Sequence, residues 1–266
     1  MVKLKIFCVT NKMVPALENS NYILGGVGKS NFNNYYLRSD HGINIFEKEK
    51  YYSELTFHYW YWKNLLKNED AEWVGFCQRR RLWVKDTSSI EKINFENIKD
   101  YLLISPDETW KNYDAILCKP ISIIGAKKIK ILKRGWKNLL KNPALLFNPN
   151  LENIKLHFDM HHGHGNLEKA IKLISKENSI NFLNFVKMES SFNPHIMFIA
   201  KKKFVEQWFN ELFPWLERCE KIFGFEKLEG YDTTRLYAYL AERYLSYWFQ
   251  KYTNYKFHPW IFMKNF

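Results

Sequence analysis

Four short apolar runs, set apart by longer stretches of helical periodicity, constrain this chain more than any other feature. They are residues 3–9 (KLKIFCV), 73–77 (WVGFC), 114–118 (DAILC) and 195–200 (HIMFIA). Runs this short, closed by polar residues, read as buried strands. The first ends in Thr10, Asn11 and Lys12, and the second in Gln78 followed by Arg79, Arg80 and Arg81. Strands that alternate with helices build an open α/β sheet, and such sheets bind ligands at the carboxyl ends of their strands.

The helical stretches have their own signals. Residues 53–66 (SELTFHYWYWKNLL) place Leu55, Tyr59, Trp62 and Leu66 on one stripe, with Glu54, His58 and Tyr61 beside it. Ser53 reads as the N-cap and Glu54 as a first-turn acid. Asn166 is expected to cap a helix that turns Leu167, Ala170, Ile171 and Ile174 inward. Residues 204–223 predict an apolar helix bent near Pro214, and 233–250 a last one. Gly25, Gly26 and Gly28 read as a loop, because no helix pattern follows them as a dinucleotide fingerprint requires. Residues 125–150 read as an irregular, exposed, lysine-rich excursion. No repeat or linker interrupts the chain, so a single domain spanning 1–266 is expected.

The formal net charge is +12. That balance suits nucleic acid, anionic lipid or phosphorylated partners. Lysine abounds with asparagine, isoleucine, phenylalanine and tyrosine, which a compositional bias explains equally well. Arginine is more informative: there are only eight, and three are consecutive. Guanidinium forks match phosphate oxygens, and the alternative is a solvated charge run opening a loop. Cys8, Cys77, Cys118 and Cys219 fit no metal or redox spacing and read as buried thiols. No apolar run approaches the ~20 residues of a membrane span. The first residues read as a strand rather than a signal peptide, so a cytoplasmic setting is expected.

Three further groups carry chemistry. His157, Asp159, His161, His162 and His164 are good ligand types, but their spacing fits no standard zinc motif. An active-site loop with one working histidine and ordinary loop histidines both remain open. Arg235 and Glu242 lie seven apart with Ala238 between them, so they share a helix face. That face borders a pocket or holds a buried ion pair. Tyr59, Trp60, Tyr61 and Trp62 point all around their helix, so that core packing and stacking on a sugar or base are both open to them.

Together these segments resemble a family of glycosyltransferases from capsule and lipopolysaccharide loci. Asp40, Gly42 and Asn44-Ile45 look like its D-x-G-x-N-I motif. Tyr52 to Thr56, Tyr59, Trp60 and Trp62 to Asn64 look like its helix signature. Gly75, Cys77, Arg80 and Arg81 look like the following strand and arginine pair. His162 with Leu167, Phe198-Ile199, and Arg235, Leu240, Glu242 and Arg243 fit later elements, so the resemblance covers nearly the whole chain. The chain departs from the pattern at Asn11, at Gln78-Arg79, and around Asn193 to Met197.

The resemblance implies a GT-A-like nucleotide-binding sheet flanked by helices, with a donor-binding half at about 1–120 and an acceptor-side helical half at about 121–266. It implies hexose transfer, of galactose type in either ring form and with or without an N-acetyl group, from a UDP-sugar to a growing capsular or surface polysaccharide. The expected donor residues are Thr10, Lys12, Asp40, Asn44, Glu54, Tyr59, Arg80, Arg81 and Arg235. The expected general base for an inverting transfer is Glu242, with His162 and Asp232 as the other catalytic candidates and Asp159 behind them. Many GT-A enzymes hold the diphosphate with a divalent metal and an Asp-x-Asp motif. Residues 77–81 occupy that place here, so Arg80 and Arg81 are expected to replace the metal; no cofactor is assigned, and manganese or magnesium stays open. The acceptor is expected to be lipid-linked. The 247–266 tail, with Trp248, Phe249, Trp260 and Phe262 among lysines, either touches the membrane or packs on the domain. A non-catalytic polysaccharide-binding or nucleic-acid-binding protein is the alternative.

Overall fold

In the computed structural model, residues 3–86, 90–125, 132–133, 135–148 and 151–264 are described. The strands are β1 (Leu4–Thr10), β2 (Ile23–Gly26), β3 (Tyr36–Arg38), β4 (Trp73–Gln78), β5 (Arg81–Trp83) and β6 (Ala115–Leu117). They continue with β7 (Ile121–Ser122), β8 (Ser191–Phe192), β9 (Phe198–Lys201), β10 (Tyr255–Phe257) and β11 (Trp260–Phe262). Helices of six residues or more are α1 (Leu55–Asn64), α2 (Trp136–Lys141), α3 (Ile154–His162) and α4 (Asn166–Ile171). They are followed by α5 (Lys176–Met188), α6 (Lys202–Phe223) and α7 (Leu236–Tyr252). None is long and apolar enough to cross a membrane.

The chain forms two compact units. The first comprises Met1–Lys119, His195–Glu211 and Phe249–Phe266; the second comprises Pro120–Pro194 and Leu212–Trp248. Two later segments therefore join the first unit, rather than the chain dividing once near residue 120.

The first unit is built on a mixed sheet of order β10-β6-β9-β4-β1-β2-β3, with β5 and β11 attached through β4. β1 runs parallel to β2 and β4, and β2 parallel to β3. β9 lies antiparallel between β4 and β6. The expected α/β class is observed. The last five residues of β1 are buried, as in a strand covered on both faces. α1 presses Phe57 and Tyr61 onto Phe7 and Phe76, at ring separations of 4.6–5.8 Å. Phe198 and Phe209 extend that cluster.

Several local expectations need correction. Gly25 and Gly26 lie in β2, not in a loop: a Cβ on Gly25 would meet the Phe57 ring at 2.5 Å, so the bare backbone admits the helix. Ser53 is not the N-cap of α1; it has φ 52° and Glu54 occupies the cap position. The 195–200 run begins its strand only at Phe198, because His195 (φ 74°) and Ile196 (φ 53°) are left-handed and cannot extend a strand. Of the C-terminal tail, for which both packing and membrane contact were open, Trp248 and Phe249 are buried, β10 pairs with β6 and β11 with β5, while Phe257 and Phe262 stay exposed.

In the second unit, α5, α6 and α7 supply an aromatic core in which Trp215 approaches Tyr244 at 4.8 Å and Phe182 approaches Tyr244 and Tyr247 at 5.1 Å. The Trp215 indole N–H donates to the Ala170 carbonyl, at 2.8 Å. The 157–162 histidines stand on α3 rather than on a loop. Asn153 caps that helix by accepting from the Leu156 N–H, and Ile154, Leu156, Phe158 and Met160 are buried. The 125–150 region, expected to be irregular, contains α2 and a 3-10 turn at Pro143–Leu146; residues 126–131, 134, 149 and 150 lie outside the described residues.

Candidate functional site

The order β3-β2-β1-β4 creates a switch point between β1 and β4. From β1 the chain moves outward through β2 and β3, then returns to add β4 on the other side. Crevices of this kind, at the carboxyl ends of parallel strands, receive ligands. The register pairs Val9 with Gln78, and the Arg79 N–H donates to the Val9 carbonyl at 3.2 Å. Thr10 and the arginine turn are thereby side by side. The Thr10 hydroxyl accepts from the Lys12 N–H at 3.1 Å and holds the loop that carries exposed Lys12.

Gln78, for which sequence reasoning assigned no role, organises this edge. Its side-chain N–H groups reach the Glu54 carboxylate and the His195 carbonyl, the latter at 2.8 Å. Its carbonyl oxygen accepts from Arg81 at 2.9 Å. Two strained backbones flank these partners, at Ser53 beside Glu54 and at His195 itself. Strain of this sort costs of order 1–3 kcal/mol per residue and clusters at functional sites.

The three arginines differ in surroundings. Arg81 is engaged by Gln78 and lies 5.2 Å over the Phe262 ring, while Arg80 lies 5.6 Å from the same ring. Among the described residues, neither Arg79 nor Arg80 has a carboxylate partner. Burial, and then the like charge of Arg80, lower the Arg79 pKa. A pair of half-buried cations that repel each other is stabilised by an anion.

The other expected donor residues of this unit have local partners. Arg38 pairs with Asp40 at 3.1 Å; burial would raise the Asp40 pKa, but this guanidinium holds it below the usual value. Asn44 bonds the Gly42 carbonyl and the Phe46 N–H, shaping its own turn. Asn64, at the end of α1, clasps the loop by accepting from the Ile43 N–H at 3.1 Å and donating to its carbonyl at 2.8 Å. Gly42 sits at φ 61°, with the Asn64 amide where a Cβ would be. Tyr59 contacts Trp62 and Lys63 further along α1.

The remaining candidates lie in the second unit. Arg235 sits outside α7, in the corner that ends the Tyr231–Thr234 helical turn. Its carbonyl accepts the Tyr239 N–H at 3.1 Å, so Arg235 also opens α7, the helix that carries Glu242. Glu242 is the ion-pair partner of Arg243, whose guanidinium is buried 3.6 Å over Phe192. His162 stacks on Tyr239 at 3.7 Å, and its Nδ1 lies 2.7 Å from the Asp232 carbonyl. That contact requires the proton on Nδ1. Burial, helped by the Arg243 charge, pushes the His162 pKa down to about 3. Asp159 is buried and held by Lys155 and the Gly165 N–H, both at 2.9 Å.

An open cavity of about 390 Å³ in this unit is lined by Asp159, Met160, His161, Gly163, Glu229, Gly230, Asp232 and Thr233. It adds His161 and Glu229 to the expected Asp232. The His161 Nδ1 lies 3.0 Å from the His157 carbonyl, which leaves Nε2 as its acceptor nitrogen. Among the described residues, no three His, Cys, Asp or Glu are grouped to hold a metal ion.

Residues 5–254 match the model of a domain of unknown function, DUF4422. The chain belongs to the DUF4422 family. Its fold is similar to that of the solved apo structure of WbbM, a bifunctional glycosyltransferase, with a TM-score of 0.71 and 21% sequence identity. The match covers 99% of this chain and 46% of that one, so the DUF4422 chain spans about half the length of WbbM. No curated protein matches. Within this DUF4422 chain, Gln78 and Arg79 are among the positions where it departs from the family resemblance; Arg79 was also marked by the arginine run, whereas for Gln78 that departure was the one sequence signal.

Proposed function

We propose that this chain is an inverting glycosyltransferase that moves a galactose-type hexose from a UDP-sugar to a growing, lipid-linked surface polysaccharide. The observation that carries the reading is the Arg79-Arg80 pair at the β1/β4 switch point, with no carboxylate partner among the described residues. In the reaction, the acceptor oxygen bonds to the anomeric carbon. The bond from that carbon to the diphosphate breaks, and its electron pair leaves with the diphosphate. Oriented guanidinium groups stabilise the charge that develops there. Arg79 shares this role with Arg80, while Arg81 is positioned by Gln78.

The acceptor hydroxyl loses its proton to a base. Glu242 already neutralises a buried guanidinium, and His162 is buried and stacked. Asp232 lines an open cavity, and we assign it the base. The fold shared with a glycosyltransferase supports the reading.

The test is UDP binding by calorimetry, with CMP, GDP and an oligonucleotide as controls. UDP should bind selectively, and R79Q and R80Q should each weaken it by roughly tenfold to a hundredfold, as expected for a charged hydrogen bond. Equal binding by both variants overturns the phosphate assignment, and preference for the oligonucleotide favours a non-catalytic nucleic-acid-binding protein. Polysaccharide binding without turnover of any UDP-hexose favours the non-catalytic polysaccharide-binding reading. Transfer should survive EDTA; complete loss restored by Mn²⁺ or Mg²⁺ shows that the arginines do not replace a metal. D232N should fold normally and lose turnover.

A further inference from the structure

Between residues 120 and 150 the chain carries six lysines and one arginine, and no aspartate or glutamate. The same stretch displays large apolar side chains to water. Leu132, Trp136, Leu140 and Phe147 are 50%, 51%, 76% and 80% exposed, and Ile121 and Ile124 are also exposed. α2 explains the arrangement. Its inward side places Leu139 against the cluster of Leu145, Leu156 and Met160. Its outward side carries Trp136 and Leu140 one turn apart, with Leu132 four residues earlier. Lys133 and Lys137 are exposed beside this row. A surface helix ordinarily turns its apolar stripe to the core; here a second stripe faces outward.

We propose that the surface around α2 docks onto an anionic lipid bilayer, lying in the interface rather than crossing it. The charge and the apolar groups select this partner together. A bilayer rich in acidic headgroups attracts the lysines, and its acyl boundary takes up Trp136, Leu140 and Phe147. A nucleic acid would satisfy the lysines and leave Leu140 and Phe147 in water. A second copy of this chain, itself at +12, would bring like charge to like charge. The C-terminal tail, the other aromatic and lysine-bearing segment, is tied into the sheet through β10 and β11, and its exposed Phe257 and Phe262 are less open to water than Leu140 and Phe147. This assignment is independent of glycosyl transfer, since lipid binding is read without a donor or an acceptor.

The experiment is co-sedimentation of the full chain with phosphatidylcholine vesicles, with and without a phosphatidylglycerol fraction of about one third, at low and high salt. The wild-type chain should pellet only with the anionic vesicles and should be released by salt. K133Q/K137Q should weaken partitioning roughly 25-fold, from about fivefold per cation near the surface. W136S, L140S and F147S should each cost about tenfold or more. All these positions are exposed, so melting temperatures should match wild type. A wild-type chain that stays in the supernatant with every vesicle overturns the proposal. So does binding that the substitutions leave unchanged, or a self-associated state, seen by light scattering without lipid, that they dissolve.

Discussion

Replacing Glu242 separates two roles that sequence alone leaves joined, general base and counter-ion. Arg243 is 1% exposed, and its guanidinium lies between Phe192 at 3.6 Å and Phe158 at 5.9 Å. The His157 Nδ1, 3.3 Å from Nη2, accepts a hydrogen bond but carries no negative charge. Burial lowers the Arg243 pKa, and Glu242 is the charge that opposes this. Removing one partner of such a pair strands the other, at a cost of about 3–5 kcal/mol. E242A should lose that amount, and E242Q, which keeps an acceptor oxygen, should fall near the lower end. In E242Q/R243M both charges are gone and a side chain of similar length still spans the two rings. It should recover to within about 1–2 kcal/mol of wild type, the behaviour of buried pairs replaced by apolar groups. Urea unfolding of wild type, E242Q, R243M and the double variant gives the coupling energy directly, and well below the unfolding transition E242Q should retain most of its transfer activity. If E242Q unfolds at the wild-type urea concentration and the double variant shows no recovery, the counter-ion reasoning is refuted. If it is fully stable yet inactive, Glu242 is the base.

The Gly42 clasp gives a second prediction: G42A forces a Cβ to within 2.3 Å of the Asn64 Oδ1 at φ 61°. It should cost about 2–4 kcal/mol, from strain plus a broken polar clasp, and urea unfolding at wild-type strength would contradict it. S53G should relieve left-handed strain at φ 52° and raise stability by roughly 1 kcal/mol; a lower melting temperature would show that the serine side chain outweighs the strain. Acid should weaken the fold through His58 and His162, whose pKa values burial pushes from 6.5 down to about 3. The unfolded chain takes up these protons first, so each contribution is complete above pH 6.5 and is lost as pH falls from there toward 3. Between pH 7 and 5 the loss should be on the order of 1–2 kcal/mol per imidazole. H58L should remove one share of that slope, and a urea midpoint that is flat with pH in wild type would count against the assignment.

What the sequence discloses here depends on how far apart the cooperating residues stand. β1 and β4 were legible because each is a continuous apolar run with a polar end, a property of one segment. β2 was not, because Gly25-Gly26 has no strand propensity of its own; it is a strand because β1 and β3 pair with it and Phe57 needs the space. α3 was hidden by its histidines and the glycines after it, although the buried set Ile154, Phe158 and His162 recurs every four residues. The site follows the same rule. Arginines at a strand end were visible as a local cluster, but their separate surroundings were not: Gln78 accepts a hydrogen bond from Arg81. Gln78 in turn is set by Glu54, 24 residues away, and by His195, 117 residues away. No local pattern carries that information. It emerges only when the parallel register brings the end of β4 beside β1 and the left-handed turn at His195 aims its carbonyl at the same amide. The proposed shift of the anion site from Arg80-Arg81 to Arg79-Arg80 rests on that tertiary hydrogen bonding, and Q78L tests it: with that amide gone, Arg81 should be released to compete for the same anion, and the effect of R79Q on UDP binding should shrink.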